Sequence, residues 1–340
     1  MNLAKGYRGG ERQTSLLIRH ISATPIEQYL VCRPDSPLLE ELEDVPNLNF
    51  KPVSARLAGH FATPPWTLAH AHESKAAHWA YINWLCFRTP YIITRRNVFM
   101  PKSSFVTRSV YRHSSRVVAV SGSVSGTLSA YDDSLSLEII ADASAGLSVD
   151  PVAVTKLRES FGGRTIVGHV GALVDNHKGQ TTLLQIARRL SKTRPDLAFV
   201  FAGKGKDEEK FKTLSNDLNN VIWLGFRDDI ADVIATFDVF AFPSRFEALG
   251  STLLDVMEIG VPIVASNVDG IPELVMDGET GLLVEPGDVD QLERAIEQLL
   301  SNRALAKQLT QNAAAYCKQF SAQNMAGKYI KIYEEIYAQA

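Results

Sequence analysis

The stretch SRFEALGSTLLDVMEIGVPIVAS, residues 244–266, sets an acid at Glu247, a small-residue step at Gly250-Ser251-Thr252, a second acid at Asp255, and then an apolar, β-branched run. A strand pattern ends just before it at Pro243, so Glu247 falls on the loop leaving a strand and Gly250 opens the next helix. Glycine lets a ligand approach the backbone closely, and the free amides of a helix start attract phosphate. Asp255 follows on the same helix, about one turn in. Carboxylates flanking an anion site are poor phosphate ligands but good acceptors for hydroxyl groups. A sugar and a ribose joined by phosphates satisfy all of these demands.

Such a site needs elements that bring strand ends together, and the periodicity supplies them. In the second half, short apolar runs at 165–170, 198–202, 221–224, 238–242, 261–265 and 282–284 alternate with helical patterns at 180–192, 206–218, 230–236, 252–259 and 289–300. That alternation predicts a parallel sheet with helices on both faces. The first half repeats it with runs at 28–31, 66–71, 91–94, 117–120 and 137–140. The fold class expected is α/β, with two Rossmann-like, doubly wound domains facing a cleft. One spans residues 1–150 and the other residues 151–320, and a C-terminal helix at 321–340 is expected to pack back on the first. The connecting segment is placed at 142–156, where small residues and a proline interrupt the pattern. Only a stub at 2–4 precedes Gly9-Gly10 where a full central strand is expected, which suggests a natural start upstream of Met1.

At these residues the chain resembles glycosyltransferase family 4, the retaining nucleotide-sugar enzymes of the GT-B fold. That family's signature is a glutamate, seven residues, a second glutamate and then a strand; FEALGSTLLD keeps the frame with Glu247 first and Asp255 second. The resemblance runs through residues 168–300. VGALVDNHKGQ looks like the family's first loop, FAGKGKDEEKF like its glycine turn, LGFRDDI like its base-binding loop, and DGIPELVMDGETGLLVEPGD like its closing segment. Carried over by position, it implies that Glu247 binds the donor sugar's hydroxyls, Asp255 the ribose, and the amides of Leu249, Gly250 and Ser251 the phosphates. Lys178 is implied as the diphosphate's cation, Gly203 and Gly205 as the glycine turn, and Phe226 and Arg227 as the border of the base.

Three positions depart from the family's pattern. Ala172 follows Gly171 where arginine is usual, so one diphosphate cation is missing, and Asp255 is one methylene shorter than glutamate. In the first domain the family often carries a histidine after the strand at 91–94, whereas this chain has Arg95-Arg96. Arg96 is expected to supply the lost positive charge across the cleft. YRGGERQ, residues 7–13, resembles the family's glycine loop where acceptor and donor phosphate meet, with Gly9 and Gly10 suited to close approach.

Other chemistry is excluded by context. HAHESKAAH puts His70 and His72 at a strand end and His78 on the following helix. A metal site there is disfavoured because His70 and His72 are expected on opposite sides of the strand, and His72 is read as a polar cleft residue. DVD at 288–290 resembles the DxD of other glycosyltransferases, but Asp290 with Glu293 reads as a helix capping box. No metal and no other cofactor is expected. GKGK at 203–206 lacks the spacing of a P-loop, and no G-x-G-x-x-G fingerprint is present, which removes ATPase and dehydrogenase readings.

At 340 residues the chain is long enough for two cores. Cys32, Cys86 and Cys317 are far apart, odd in number and outside any metal-binding spacing, as expected of thiols in a reducing compartment. With no signal-like segment and no long apolar run, a cytoplasmic location is expected. Net charge is −3, yet residues 1–160 carry 17 Lys/Arg against 14 Asp/Glu. The stretch 88–116 holds Arg88, Arg95, Arg96, Lys102, Arg108, Arg112 and Arg116 without one acid, after a helix bearing Trp79, Tyr81, Trp84 and Phe87. Peripheral contact with an anionic membrane follows as an expectation. The function expected is transfer of a sugar from a nucleotide diphosphate to a glycan or glycolipid hydroxyl, in lipopolysaccharide or another envelope glycan, with no nucleic-acid partner. The alternatives are a non-catalytic nucleotide-sugar-binding protein and an epimerase of the same fold.

Overall fold

The protein is described from a computed structural model covering residues 1–54 and 66–339. Its strands are β1 (Gln28–Cys32), β2 (Leu48–Pro52), β3 (Ala69–Ala71), β4 (Tyr91–Arg95), β5 (Arg116–Ala119), β6 (Leu137–Ile139), β7 (Thr165–Val170), β8 (Leu197–Ala202), β9 (Val221–Gly225), β10 (Val239–Phe242), β11 (Ile263–Ser266) and β12 (Leu282–Val284). They belong to two compact units, Met1–Ala143 with the segment from Phe320 onward, and Ser144–Gln319.

The second unit is built on one parallel six-stranded sheet in the order β12-β11-β10-β7-β8-β9. Both faces are covered, so β8 and β10 are buried at every residue and read as unbroken apolar runs rather than alternating ones. Phe199, Phe201, Phe211 and Val239 lie in one apolar cluster, and Trp223 stacks on Phe201 with ring centroids 4.4 Å apart. The chain winds outward from β7 to β9 and then returns to wind the other way from β10 to β12. Neighbouring β7 and β10 therefore mark the point where strand order reverses, the place where such sheets bind ligands outside the strands' C-terminal ends.

In the first unit β3-β4-β5-β6 form a parallel sheet and β1 pairs with β2. Residues 1–3 lie between the two groups: Asn2 bridges Cys32, its amide donates to the Val31 carbonyl at 3.0 Å, and His72 donates to the Met1 carbonyl at 3.1 Å. The helix Ala322–Tyr337 packs on the helix Gly9–Ile21, with Leu17, Ile21, Ile92, Met325, Tyr329 and Ile332 in a shared core.

Several local expectations are corrected. β2 was not anticipated, because its LNFKP sequence ends in proline and no residue of it is fully buried. The connecting segment at 142–156 contains the start of a helix, Pro151–Ser160, whose N-cap Asp150 accepts from the Val152 amide. None of that helix's residues is buried, so it has no apolar face to show. In the DVD segment the N-cap is Asp288, which accepts from the Gln291 amide at 2.9 Å, while Asp290 and Glu293 both pair with Arg189. His70 and His72 share one side, with ring centroids 4.0 Å apart, because two residues along extended chain return to the same face. The basic stretch is partly neutralised by acids from elsewhere: Arg112 bonds Asp132 at 2.6 Å, Arg116 lies 3.3 Å from Glu335, and Arg96 lies 2.8 Å from Asp142.

Burial sets a pH limit on the second unit. His169 on β7 packs among Phe201, Phe240 and Phe242, and its Nδ1 donates to the Ala241 carbonyl at 2.9 Å. Desolvation lowers its pKa from 6.5 to about 4. Above 6.5 the ring is neutral in both states and contributes no difference. Below it the unfolded chain takes up a proton that the folded one refuses, so stability falls by up to about 1.4 kcal/mol per pH unit until the folded pKa is reached. The melting temperature should thus drop between about pH 6.5 and pH 4, and more shallowly in His169→Gln; thermal scans giving the two proteins the same slope would contradict this account.

Candidate functional site

The loops leaving β7 and β10 meet. The first contains a one-turn helix, Asp175–Lys178, ended by Gly179 in the left-handed region at φ +65°. A side chain at Gly179 would place its Cβ 2.1 Å from the Pro243 carbonyl oxygen, so only glycine permits this approach. Two further contacts tie the loops together, since the Arg245 amide donates to the His177 carbonyl at 2.7 Å and the Phe246 amide to the same oxygen at 3.3 Å. Lys178 is thereby delivered to Glu247, and Lys178 Nζ donates to Glu247 Oε2. The ammonium also sits 4.8 Å from the centroid of the Phe242 ring. Both members of the pair are mostly withdrawn from water, at 21% and 15% exposure, yet remain reachable.

Beside this pair the helix Ser251–Ile259 begins without a side-chain cap; its N-cap is Gly250 at φ +89°. The first amides of an uncapped helix are open donors with a partial positive charge. Ser251 is partly exposed, whereas Leu249 and Gly250 are buried. Asp255, further along that helix, is 2% exposed, and its Oδ1 accepts from the Ala145 amide at 3.0 Å. Ala172 uses its carbonyl to accept from Gln180 Nε2 at 2.8 Å. One residue escaped sequence reasoning: Asp269, whose Oδ2 accepts from the Glu247 amide at 2.9 Å. Its signals were an Asp-Gly pair and its place at the head of the closing segment DGIPELVMDGETGLLVEPGD, neither of which gave it a role.

Residues 156–316 match the family Glycosyl transferases group 1. The chain is 30% identical over 171 residues to the lipopolysaccharide core biosynthesis glycosyltransferase LpsE of Rhizobium meliloti (strain 1021), covering 49% of each. It is 32% identical over 189 residues to the alpha-D-kanosaminyltransferase of Streptomyces kanamyceticus, covering 53% of this chain and 49% of that one. The chain thus spans about half the length of the curated relatives it matches. Among solved structures it superposes on Anabaena Alr3699/HepE in complex with UDP-glucose with a TM-score of 0.84 and 20% identity, covering 98% of both chains. The fold is GT-B. Residues 156–316 are a group 1 glycosyltransferase domain.

Within the group 1 domain the glycine turn does more than reverse the chain. Gly203, at φ +140°, would set a Cβ 2.0 Å from the Gly171 carbonyl oxygen, and Gly205 one 2.2 Å from the Leu173 carbonyl oxygen. These glycines brace the loop that carries Lys178. The Gly203 amide donates to Gly225, next to Phe226, which is exposed with Lys204 Nζ 6.0 Å from its ring centroid. Arg227 is held by Asp229 at 2.7 Å.

The remaining candidates lie in the first unit. Gly10 is partly buried against Arg96, whose Cδ would lie 3.8 Å from an added Cβ, and Gly9 is exposed. The start of their helix is occupied by Glu11, which accepts from the Arg8 amide at 3.0 Å and from Asn2 Nδ2 at 3.2 Å. Arg96 is 11% exposed and anchored by Asp142. His72 is buried beside His70, and desolvation, His70 and Arg96 hold its pKa well below the ordinary value, so the ring is neutral. Among the described residues no group of three or more His, Cys, Asp or Glu could hold a metal ion.

The bracing role of Gly203 is testable against Gly278, a left-handed glycine at φ +71° with open space where a Cβ would go. Gly278→Ala should cost about 1–2 kcal/mol of stability, whereas Gly203→Ala should cost that plus about 1–3 kcal/mol for the steric contact. Equal losses in denaturant titrations would show that the contact with Gly171 is not the reason for glycine.

Proposed function

We propose that this chain is a retaining glycosyltransferase of family 4 that moves a sugar from a nucleotide diphosphate to an acceptor hydroxyl in envelope glycan synthesis. The observation that carries the reading is the Lys178–Glu247 pair set beside an uncapped helix start at the strand-order reversal. A cation and open amides suit a diphosphate, and a half-buried carboxylate suits sugar hydroxyls. The match of residues 156–316 to Glycosyl transferases group 1 supports the reaction class. The relative named for lipopolysaccharide core biosynthesis supports the envelope setting. The UDP-glucose complex of the Anabaena relative makes UDP-hexoses the first donors to test.

On this reading Lys178 leaves Glu247 for the incoming diphosphate, and Glu247 turns to the sugar. A half-buried ion pair is close to neutral in net stability, so exchanging it for ligand contacts costs little. No carboxylate is placed as a nucleophile. The leaving diphosphate accepts the acceptor's proton on the same face of the sugar, while Lys178 and the amides at Gly250 and Ser251 stabilise the charge that develops on it. Glu247 holds the transferred sugar and Asp255 the ribose. Glu247→Gln should then lower kcat by about 100-fold or more, while Asp255→Asn should chiefly raise the donor KM. Initial-rate measurements of donor consumption and acceptor glycosylation decide it; equal, small effects, or donor interconversion without an acceptor, would overturn the assignment.

The acceptor is proposed to be a glycolipid met at the inner face of the cell membrane. In the first unit Phe105 is 86% exposed, with Phe99, Met100 and Val106 also exposed and Lys102 and Arg108 nearby in sequence. Among the described residues no helix is long and apolar enough to cross a membrane. Apolar side chains beside cations suit an anionic bilayer surface. Sedimentation with anionic vesicles should be salt-sensitive and should fall when Phe105 becomes Ser or Arg108 becomes Ala; absence of binding at low salt would refute it.

A further inference from the structure

Glu247 is held at three points, and only one of them is its side chain. Lys178 takes the carboxylate. Its amide donates to Asp269 Oδ2 at 2.9 Å, and its carbonyl accepts from the Gly270 amide at 3.1 Å. Asp269-Gly270, in the turn after β11, therefore grips both polar groups of the Glu247 backbone. The grip is tight, because a Cβ on Gly270 would lie 2.1 Å from the Ala248 carbonyl oxygen.

The backbone of Asp269 is left-handed, at φ +48°. Glycine fits such a position without strain, and aspartate is among the few side chains that tolerate it. Glycine here would leave the Glu247 amide without the carboxylate that receives it. Hydrogen bonds to a charged acceptor are stronger than neutral ones and fix direction as well as distance. With its backbone fixed at both amide and carbonyl, Glu247 turns from Lys178 to the sugar about a defined pivot.

We propose that Asp269 is a positioning residue for Glu247, setting the recognition of the donor's sugar and not of its diphosphate. This rests on the functional reading given above. The consequence is a split between stability and binding. Asp269→Gly relieves a left-handed side chain but removes the acceptor of the Glu247 amide, so the two effects oppose and the melting temperature should change little. The variant should nevertheless lose the part of donor affinity that comes from the sugar. Asp269→Asn keeps an acceptor oxygen at the same reach and should restore most of that part.

Isothermal titration of the wild type, Asp269→Gly, Asp269→Asn and Glu247→Ala with a panel of UDP-, GDP- and ADP-sugars and with the bare diphosphates tests this. For the wild type, a nucleotide sugar should bind more tightly than its bare diphosphate. The increment should shrink by about tenfold or more in Asp269→Gly, mimicking Glu247→Ala, with bare-diphosphate binding unchanged in Asp269→Gly and the increment largely kept in Asp269→Asn. A full sugar increment in Asp269→Gly, with Glu247→Ala having lost it, would overturn the proposal while leaving the functional reading intact. Parallel loss of bare-diphosphate binding in Asp269→Gly would also overturn it, since that marks general loosening. If no nucleotide sugar binds the wild type, or Glu247→Ala keeps the increment, it is the functional reading that fails.

Discussion

Two loops pressed into van der Waals contact are the constraint on which the second unit's site depends. The carbonyl of Pro243 occupies the space where any residue but glycine at position 179 would carry its Cβ. Without that seating, the amides of Arg245 and Phe246 could not reach His177, and the cation and the carboxylate would not be neighbours. The sheet makes the contact possible by putting β7 beside β10, so that chain segments 69 residues apart leave the sheet side by side. A parallel sheet supplies the address, and glycine supplies the last ångströms.

The same logic recurs at each place where backbone meets backbone. Gly203 against Gly171, Gly205 against Leu173 and Gly270 against Ala248 are all approaches that a methyl group would block. The loops are consequently stiff without being buried in secondary structure. A site built this way owes its geometry less to the side chains on display than to the absence of side chains behind them.

Much of this was legible in the chain and some was not. Parallel-sheet strands announce themselves because burial on both faces removes polar residues, which is why β8 and β10 were evident from composition alone. The loop position of Glu247 followed from counting forward from a strand end, and Lys178 from the resemblance of VGALVDNHKGQ to a family loop. Their mutual pairing did not, because it depends on strand order, which no local pattern carries. The role of Asp269, first residue of the closing segment, stayed hidden for a related reason: it lies in a left-handed backbone and a contact 22 residues away. Helix Pro151–Ser160 had no buried residue and so no periodicity to read. For His70 and His72, strand geometry itself gives the shared face, and the structure has their rings side by side on it, tilted by 36°.

The path of the chain through the two units bears on how the protein is made. The first unit is discontinuous: Tyr329 bonds Thr94 at 2.9 Å, Tyr333 bonds His70 at 2.7 Å, and both tyrosines come from the helix Ala322–Tyr337. All six strands of the second unit have been synthesised by residue 284. The core of that unit also takes Leu292, Ile296, Leu299 and Leu309, so it is filled only after residue 309, shortly before the helix that supplies a wall of the first unit's core. Both units therefore wait for late-made helices before their cores are covered.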